Sequence, residues 1–296
     1  MQQRIIFIVG PTGVGKSALG LALARKFNGA IVSCDAMQVY REVNIACDKP
    51  SHEARATVPH FMVDAASVTE EYNVAQYAKA ANIAIETVLK EDKVPIVVGG
   101  SGMYVSVLLD GIFDAVYKDE ALRERLLLQE PLKLHQELAA KDPQAAGKIH
   151  PHDLRRLVRA LEVFQVAGRP ISELQQNRTG LWGKYAITIV GLYRERSVLY
   201  AMAEERIDRM FAQGLVEEAR SVCALPLSRT AKTVIGIPEV QGYLNGEYDL
   251  ERAKYLMKLN TRHYVKRQLT WFRRDKRIEW IDIDGESMEH IVERIL

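Results

Sequence analysis

The strongest constraint on this chain is a phosphate-loop pattern near the start of the sequence. The pattern G-x-x-x-x-G-K-[ST] is matched in full by Gly10, Pro11, Thr12, Gly13, Val14, Gly15, Lys16 and Ser17. The apolar run Ile5–Val9 precedes it and the helix-favouring stretch Ser17–Phe27 follows it, which is the context the motif requires. Glycines let successive backbone N–H groups turn toward phosphate oxygens, and a helix start adds partial positive charge. The pattern therefore predicts a phosphate site in which Lys16 neutralises charge and the Ser17 hydroxyl holds Mg²⁺.

The segments that follow predict a parallel sheet. Short apolar runs typical of buried strands recur at Ala30–Ser33, Val58–Val63, Val94–Val98 and Ala186–Leu192. A long amphipathic helix is predicted between two of them, from Asn73 to Lys90. Strand–helix alternation of this kind predicts an α/β fold whose parallel sheet is covered by helices on both faces.

The sequence changes in character after about Tyr117. Between Asp119 and Gly168 there is almost no strand-like sequence, and the helical segments are interrupted by prolines. We therefore predict a core made of residues 1–117 and 184–296, with an all-helical insertion at residues 118–183. The C-terminal part of the core, from Ser197 to about Arg274, is also predicted to be mostly helical.

Composition excludes several classes of protein. The chain is 48% hydrophobic and 26% charged, close to a globular average, which argues against disordered, collagen-like and coiled-coil chains. No run of about 20 apolar residues is present, so no membrane span is expected. The three cysteines, Cys34, Cys47 and Cys223, form neither a zinc pattern nor a disulfide framework. A protein of the reducing cytoplasm is expected.

A carboxylate and a second glycine loop also follow predicted strands. Asp35 comes just after the second strand, and Gly99-Gly100-Ser101-Gly102 follows the Val94–Val98 strand. Because ligands of open parallel sheets bind at the carboxyl ends of the strands, both are expected to face the same crevice as Lys16. Asp35 fits a metal ligand, a substrate anchor or a general base, and a helix N-cap is the alternative. Nearby, Gln38 and Tyr40 are candidates to hydrogen-bond to or stack on a base.

The net charge of +2 conceals a basic region. Residues 251–280 hold ten Lys and Arg against three Asp and Glu, and aromatic residues are interleaved with them. Such a segment suits a nucleic-acid backbone with exposed bases, although a solvated helix face with an apolar side is the alternative. A second cluster, Arg155, Arg156 and Arg159, has helical spacing after Asp153 in the predicted insertion. Two separate basic elements make a nucleic-acid partner more plausible than either does alone.

Taken together, these motifs resemble the tRNA dimethylallyltransferases (tRNA isopentenyltransferases) of the bacterial type. The resemblance covers nearly the whole chain, in order. The matching stretches are Gly10–Ser17, Ser33–Tyr40, Val58–His60, Pro95–Tyr104, Ile149–Asp153, Arg159–Val163, Arg206–Met210 and Arg267–Arg273. The family resemblance implies transfer of a dimethylallyl group from dimethylallyl diphosphate to an adenine amine, with release of diphosphate. That adenine lies 3′ of the anticodon in tRNAs that read codons beginning with U.

The resemblance also implies a P-loop kinase-like core, Mg²⁺, and an insertion that contacts the anticodon stem-loop. A monomer is the default expectation, because no further interface motif stands out in the sequence. By position, Gly10–Ser17 and Arg206 would hold the diphosphate. Asp35 would be the general base, with Ser101 and Lys16 beside the reacting groups. The residues that match tRNA-contacting segments are Asp35, Ala36, Met37, Gln38, Ser101, Arg123, Arg155, Arg156, Leu157, Val158, Arg159, Thr233, Val234, Ile235, Gly236, Ile237 and Pro238.

The chain departs from the family pattern in two places. Relatives usually read Ile-Gly-Tyr-Lys/Arg where this chain has Ile235-Gly236-Ile237-Pro238, which weakens the expectation that this segment contacts tRNA. Ala46-Cys47-Asp48-Lys49-Pro50 replaces the more usual Gly-Thr-Ala-Lys-Pro.

Three other functions share some of these features. An adenylate isopentenyltransferase acting on free AMP, ADP or ATP would need the phosphate loop and Asp35, but not the basic insertion. A small-molecule kinase with ATP in the phosphate loop would explain Gly10–Ser17 but not the later motifs. A non-catalytic RNA-binding protein would have no use for a phosphate cradle beside a carboxylate. Transfer of label from dimethylallyl diphosphate to tRNA, AMP or neither separates these possibilities.

Overall fold

A computed structural model describes residues 2–113 and 119–295 of the chain. Among these residues, six strands form one parallel sheet in the order β3-β2-β4-β1-β5-β6. The strands are β1 (Arg4–Val9), β2 (Ala30–Ser33), β3 (His60–Phe61), β4 (Pro95–Gly99), β5 (Ala186–Tyr193) and β6 (Glu279–Asp282). The predicted α/β fold with a parallel sheet is thereby confirmed.

Helices supply most of the remaining regular structure. In the described ranges they are α1 (Lys16–Lys26), α2 (His52–Thr57), α3 (Val74–Lys90), α4 (Gly102–Asp110), α5 (Glu120–Leu127), α6 (Pro131–Lys141), α7 (Pro143–Ala146), α8 (Leu154–Ala167), α9 (Ile171–Gln176), α10 (Arg196–Ala212), α11 (Leu215–Cys223), α12 (Ile237–Leu244), α13 (Leu250–Phe272) and α14 (Met288–Ile295). None of these is long and apolar enough to cross a membrane.

Burial on both faces of β1 shows why this strand is apolar throughout. Ile6 and Ile8 belong to one buried cluster with Leu19 and Leu23 of α1. Alternate residues of a strand point to opposite faces, and Phe7 between them is also completely buried. The sheet is therefore covered on both sides, as the continuous apolar run predicts.

Contacts among residues divide the chain into two compact units. The first comprises Met1–Leu108 and Trp182–Leu296, and the second comprises Leu109–Leu181. The boundary predicted between residues 117 and 118 lies outside the described residues. The assignment of a tRNA-binding role to the insertion stays a prediction.

The first unit differs from the predicted elements at its edges. The expected strand Val58–Val63 contains only the two residues of β3, because Val58 ends α2 and Met62 adopts a left-handed φ of 63°. The edge strand β6 and the final helix α14 were not predicted. In β6, Trp280 and Ile281 lie between charged residues, a weak local signal for a strand.

The second unit has an apolar core of its own and contains helices α5 to α9. Pro131 and Pro143 occupy the first positions of α6 and α7, where a missing N–H costs nothing, so they start helices rather than break them. Leu134, Leu138 and Leu161 are fully buried members of its core. The predicted all-helical character of this region is confirmed for the described residues.

Candidate active site

The phosphate loop connects β1 to α1 and is anchored by a buried side chain. Val14 is completely buried, which holds the loop against the core. Gly15 is the N-cap of α1 with a φ of 105°, a left-handed conformation that side chains disfavour. At Gly10, an added Cβ would lie 2.8 Å from the Leu192 backbone oxygen, so only glycine fits. The predicted strand–loop–helix context is present, and the amides at the start of α1 are available to an anion.

Lys16 lies near the end of this loop, and its side chain reaches back to the start of the loop. Its Nζ donates a hydrogen bond to the Pro11 carbonyl at 2.7 Å. Burial lowers the pKa of Lys16 to about 8, an effect that the nearby carboxylates of Asp35 and Asp48 oppose and the Arg206 guanidinium reinforces. The ammonium is thus poorly solvated, and a bound anion would restore the stabilisation it lacks.

Gln268 on α13 joins the two glycine loops. Its Oε1 accepts a hydrogen bond from the Thr12 N–H at 2.9 Å, and its Nε2 donates to the Gly100 carbonyl at 2.9 Å. The side chain is only 4% exposed. Gln268 lies in one of the stretches that match the family, but the sequence predicts no role for it. Nothing near it in the chain indicates a contact 256 positions away.

Asp35 and Ser101 are tied together at the ends of β2 and β4. The Ser101 Oγ accepts from the Ala36 N–H at 2.9 Å, and the Ser101 N–H donates to the Cys34 carbonyl at 3.2 Å. One carboxylate oxygen of Asp35 accepts from the Met37 N–H at 2.8 Å. This is a local turn and not the N-cap of a helix, so the N-cap alternative for Asp35 is wrong.

The neighbours of Asp35 are mostly engaged within the protein. Gln38 accepts from Ser33 Oγ at 2.8 Å and donates to the carbonyls of Cys47 and Asp48 at 3.4 and 3.3 Å. Tyr40 is completely buried, so the prediction that it stacks on a base is wrong. Burial also raises the pKa of Cys34 to about 12, which agrees with its role as a small buried side chain at a strand end.

A cavity of about 540 Å³ brings the predicted chemistry together in the first unit. Its lining includes Lys16, Ser17, Asp35, Asp48 and Arg206. Arg206 is on α10, and its Nη1 lies 3.2 Å from Asp48 Oδ2. Its Nε is buried with no hydrogen-bond partner. The cavity therefore combines cations, carboxylates and a set of helix-start amides.

The described residues contain no cluster of three or more His, Cys, Asp or Glu side chains that could cage a metal. The Ser17 hydroxyl lies at the cavity wall beside Lys16. This donor set fits Mg²⁺, which commonly keeps several waters and takes further oxygens from substrate phosphates.

The segment Asn44–Pro50 forms part of the cavity wall and is held by Glu218 of α11. The Glu218 carboxylate accepts hydrogen bonds from the N–H groups of Asn44, Ile45 and Ala46 at 2.8, 2.8 and 2.9 Å. Neither Glu218 nor Asp48 was singled out from the sequence as a site residue. The bonds from Glu218 join segments more than 160 residues apart in the chain. Contacts between such distant residues leave no local signal in the sequence.

Replacing Glu218 with Gln should loosen this segment. An amide keeps one acceptor oxygen but turns an NH₂ group toward backbone donors, so we expect unfolding free energy to fall by about 1–3 kcal/mol. Hydrogen exchange at Asn44–Ala46 should accelerate. The matched control is E217Q, which removes the same charge from the first turn of α11. Equal exchange at these amides in E218Q and wild type would contradict the assignment.

The residues predicted to contact tRNA divide by exposure. In the second unit, Arg155 and Arg156 are exposed, whereas Leu157 and Val158 are buried in that unit's core. There, Arg123 and Arg159 each lie 2.8 Å from the buried carboxylate of Glu162. Leu157 and Val158 therefore have no side-chain surface to offer a partner, and Arg123 and Arg159 have a structural task.

The segment Thr233–Pro238 belongs to the first unit and is also mixed. Val234 and Ile237 are each 1% exposed, while Thr233 and Pro238 are exposed at the start of α12. Glu239 fixes the turn, because its carboxylate accepts from the Gly236 N–H at 2.6 Å. Only the exposed positions and the backbone are available for contact.

The basic segment 251–280 is mainly helix α13, and its contact with nucleic acid stays a prediction. Val265 and Leu269 are buried on its core side. Lys258 pairs with Asp208 of α10 at 2.7 Å, and Arg262 pairs with Glu204 of the same helix. Part of its positive charge is thus neutralised within the protein.

Comparison with known proteins gives consistent matches. A family model described as IPP transferase matches residues 38–275. The tRNA dimethylallyltransferase of Carboxydothermus hydrogenoformans is 41% identical, over 100% of this chain and 97% of that protein. The corresponding protein of Geobacter metallireducens is 42% identical, over 96% of this chain and 94% of that protein.

Solved structures agree with the sequence relatives. The tRNA isopentenylpyrophosphate transferase of Bacillus halodurans is 33% identical with a TM-score of 0.74, covering 99% of this chain and 96% of that one. A eukaryotic dimethylallyltransferase acting on tRNA is 28% identical with a TM-score of 0.85, covering 98% of this chain and 78% of that one.

Proposed function

Because this chain belongs to the tRNA dimethylallyltransferase family, a family of prenyltransferases, we propose that it transfers a dimethylallyl group to tRNA. The donor is dimethylallyl diphosphate. The acceptor is the exocyclic amine of the adenine 3′ of the anticodon, in tRNAs that read codons beginning with U. The observation that carries the proposal is the shared cavity of Lys16, Arg206 and Asp35, which suits a diphosphate beside a base.

The diphosphate is assigned to the phosphate loop. Negative charge builds on its oxygens as the bond between carbon and oxygen breaks. The loop amides, Lys16 and the Arg206 guanidinium are directed at that charge, the largest single contribution in many such reactions. Ser17 would hold Mg²⁺, which when bound neutralises charge on the leaving group.

Asp35 is proposed to align the adenine and remove its proton. An exocyclic amine is a weak nucleophile, and a carboxylate hydrogen-bonded to it favours attack on the prenyl carbon. One Asp35 oxygen is held by the Met37 N–H, which leaves the other for the substrate. Ser101 acts by position, since its Oγ fixes the backbone next to Asp35 through the Ala36 N–H.

The tRNA must present its adenine outside the stacked anticodon loop. Extrusion of a base costs a few kcal/mol, which contacts to the flanking backbone can offset. The exposed Arg155 and Arg156 of the second unit are proposed to make such contacts. The enzyme is further proposed to act as a cytoplasmic monomer, for which light scattering should give the chain mass of 33.4 kDa.

The function is tested with labelled dimethylallyl diphosphate and Mg²⁺. The enzyme is incubated with unmodified tRNA, with AMP, or with ATP and no prenyl donor. Label in tRNA that maps to the adenine 3′ of the anticodon supports the proposal. Label in AMP alone, or phosphate transfer from ATP, would refute it.

The double variant R155Q/R156Q should weaken tRNA binding and flatten its salt dependence. Each lost phosphate contact is expected to reduce the slope of log K against log salt by roughly 0.7–0.9. The measurement is filter binding across a salt series. The matched control is R169Q, which removes an exposed arginine after the C-terminal end of α8 that pairs with Glu173 and should leave the slope unchanged. An unaltered slope in the double variant would remove both residues from the interface.

A further inference from the structure

Asp48 places a negative charge at the rim of the cavity that is proposed to hold a negatively charged substrate. Its side chain is 59% exposed, and its Oδ2 lies 3.2 Å from Arg206 Nη1. The Arg206 side chain is only 19% exposed. The carboxylate is therefore largely accessible to solvent, while the guanidinium is mostly buried at the cavity wall.

The backbone around Asp48 is held firmly. Asp48 itself has a left-handed φ of 51°, a conformation in which Asp and Asn are enriched among side-chain-bearing residues. Its carbonyl accepts from Gln38 Nε2 at 3.3 Å, and Glu218 binds three N–H groups just upstream. Lys49 Nζ donates to the Tyr40 carbonyl at 2.6 Å just downstream. The Asp48 side chain is therefore attached to an anchored backbone, which keeps its carboxylate within reach of Arg206.

A diphosphate and Asp48 would compete for the same partner. Arg206 has a buried Nε with no partner, so it still has a donor to offer, but Asp48 already takes Nη1. When a diphosphate binds beside Lys16, its oxygens and the Asp48 carboxylate are like charges facing one guanidinium. Such juxtaposition of like charges is unfavourable, so the exposed Asp48 carboxylate moves away from Arg206 when the diphosphate binds.

We propose that Asp48 competes with diphosphate for Arg206 and thereby speeds release of diphosphate after prenyl transfer. The proposal rests on the function proposed above. Product diphosphate sits in a cradle built to stabilise it, which makes its departure slow. Asp48 replaces it on Arg206 as it leaves, so the guanidinium does not remain unpaired. The residue acts on the leaving group's affinity through Arg206, and is a positioning residue for that arginine.

The test uses inorganic diphosphate with Mg²⁺ and no tRNA. Asp48→Asn keeps the shape and tolerates the left-handed backbone while removing the charge. Calorimetry should show about fivefold to tenfold tighter binding, and a chase of labelled diphosphate should show slower dissociation by a similar factor. Asp208→Asn is the matched control, because Asp208 is on the same helix as Arg206 and also pairs with a cation, Lys258, but does not line the cavity. It should change binding less than about twofold.

A second comparison isolates the interaction between Asp48 and Arg206. In an Arg206→Gln background, Asp48→Asn should change diphosphate affinity less than about twofold, because the shared partner is gone. Weaker or unchanged binding by Asp48→Asn in the wild-type background would overturn the proposal. So would equal effects of Asp48→Asn and Asp208→Asn, since a general change in charge would then explain both.

Prenyl transfer is measured separately in a single turnover with preloaded donor. Wild-type protein that binds diphosphate but moves no label to tRNA would refute the proposed function. Wild-type transfer accompanied by unchanged diphosphate dissociation in Asp48→Asn would refute only this inference.

Discussion

Asp35→Asn is expected to lower the rate of prenyl transfer by about 10²–10⁴-fold while tRNA affinity changes no more than a few-fold. Asparagine keeps an oxygen that can accept from the Met37 N–H, so the turn after β2 is preserved. It cannot take the proton from the adenine amine. The loss should therefore appear in the rate at saturating tRNA and donor, and not in binding.

Two measurements check this expectation. Single-turnover transfer at saturating tRNA reports the chemical step, and filter binding reports tRNA affinity. The control is Asp92→Asn, which makes the same substitution at an exposed aspartate in the turn after α3. Transfer within a few-fold of wild type in Asp35→Asn would end the general-base role. Loss of tRNA affinity with normal transfer at saturation would make Asp35 a tRNA anchor instead.

Lys16→Met should have the next largest effect, with transfer reduced by about 10³-fold and diphosphate binding strongly weakened. Methionine matches the length of the side chain but carries no charge to offset the leaving group. Lys26→Met at the other end of α1 provides the control, since it removes one exposed positive charge from the same helix. Equal losses in both variants would point to general electrostatics, and an intact rate in Lys16→Met would exclude the lysine from the site.

The lowered pKa of Lys16 gives this residue a pH signature. Below about pH 8 the ammonium is charged in the free protein, and above about pH 8 it is progressively neutral. A bound diphosphate favours the charged form, so binding above pH 8 must take up a proton. Diphosphate affinity should therefore fall by up to about tenfold for each further pH unit in wild type. Lys16→Met should lack this fall, and an identical fall in the variant would assign it to another group.

Local features of the sequence were sufficient for the centre of the fold. Ile5–Val9, the phosphate loop and α1 lie next to each other in the chain, so their order alone predicts a strand, an anion site and a helix. The convergence of Lys16, Asp35 and Arg206 on one cavity agrees with the expectation from the sheet and from the family resemblance. Their chemical roles stay predictions.

Other features depend on contacts between distant parts of the chain. The pairing of Arg206 with Asp48 and the capping of Asn44–Ala46 by Glu218 arise only when α10 and α11 fold beside the loop. The sequence did not predict β6, because an edge strand of only four residues has little pattern of its own and is recognised by its pairing with β5. Burial of Leu157 and Val158 was also hidden, since a matched motif does not show which face of a helix turns inward.

Gln268 also decides when, during synthesis, the site can close. Thr12 and Gly100 leave the ribosome early, whereas the side chain that bridges them lies 256 positions after Thr12. At about 5–20 residues per second, that gap is on the order of 10–50 seconds of translation. For the last 168 positions of that gap, a nascent chain carries both glycine loops but not the bond between them. The bridge between the two glycine loops can therefore form only after α13 has been synthesised.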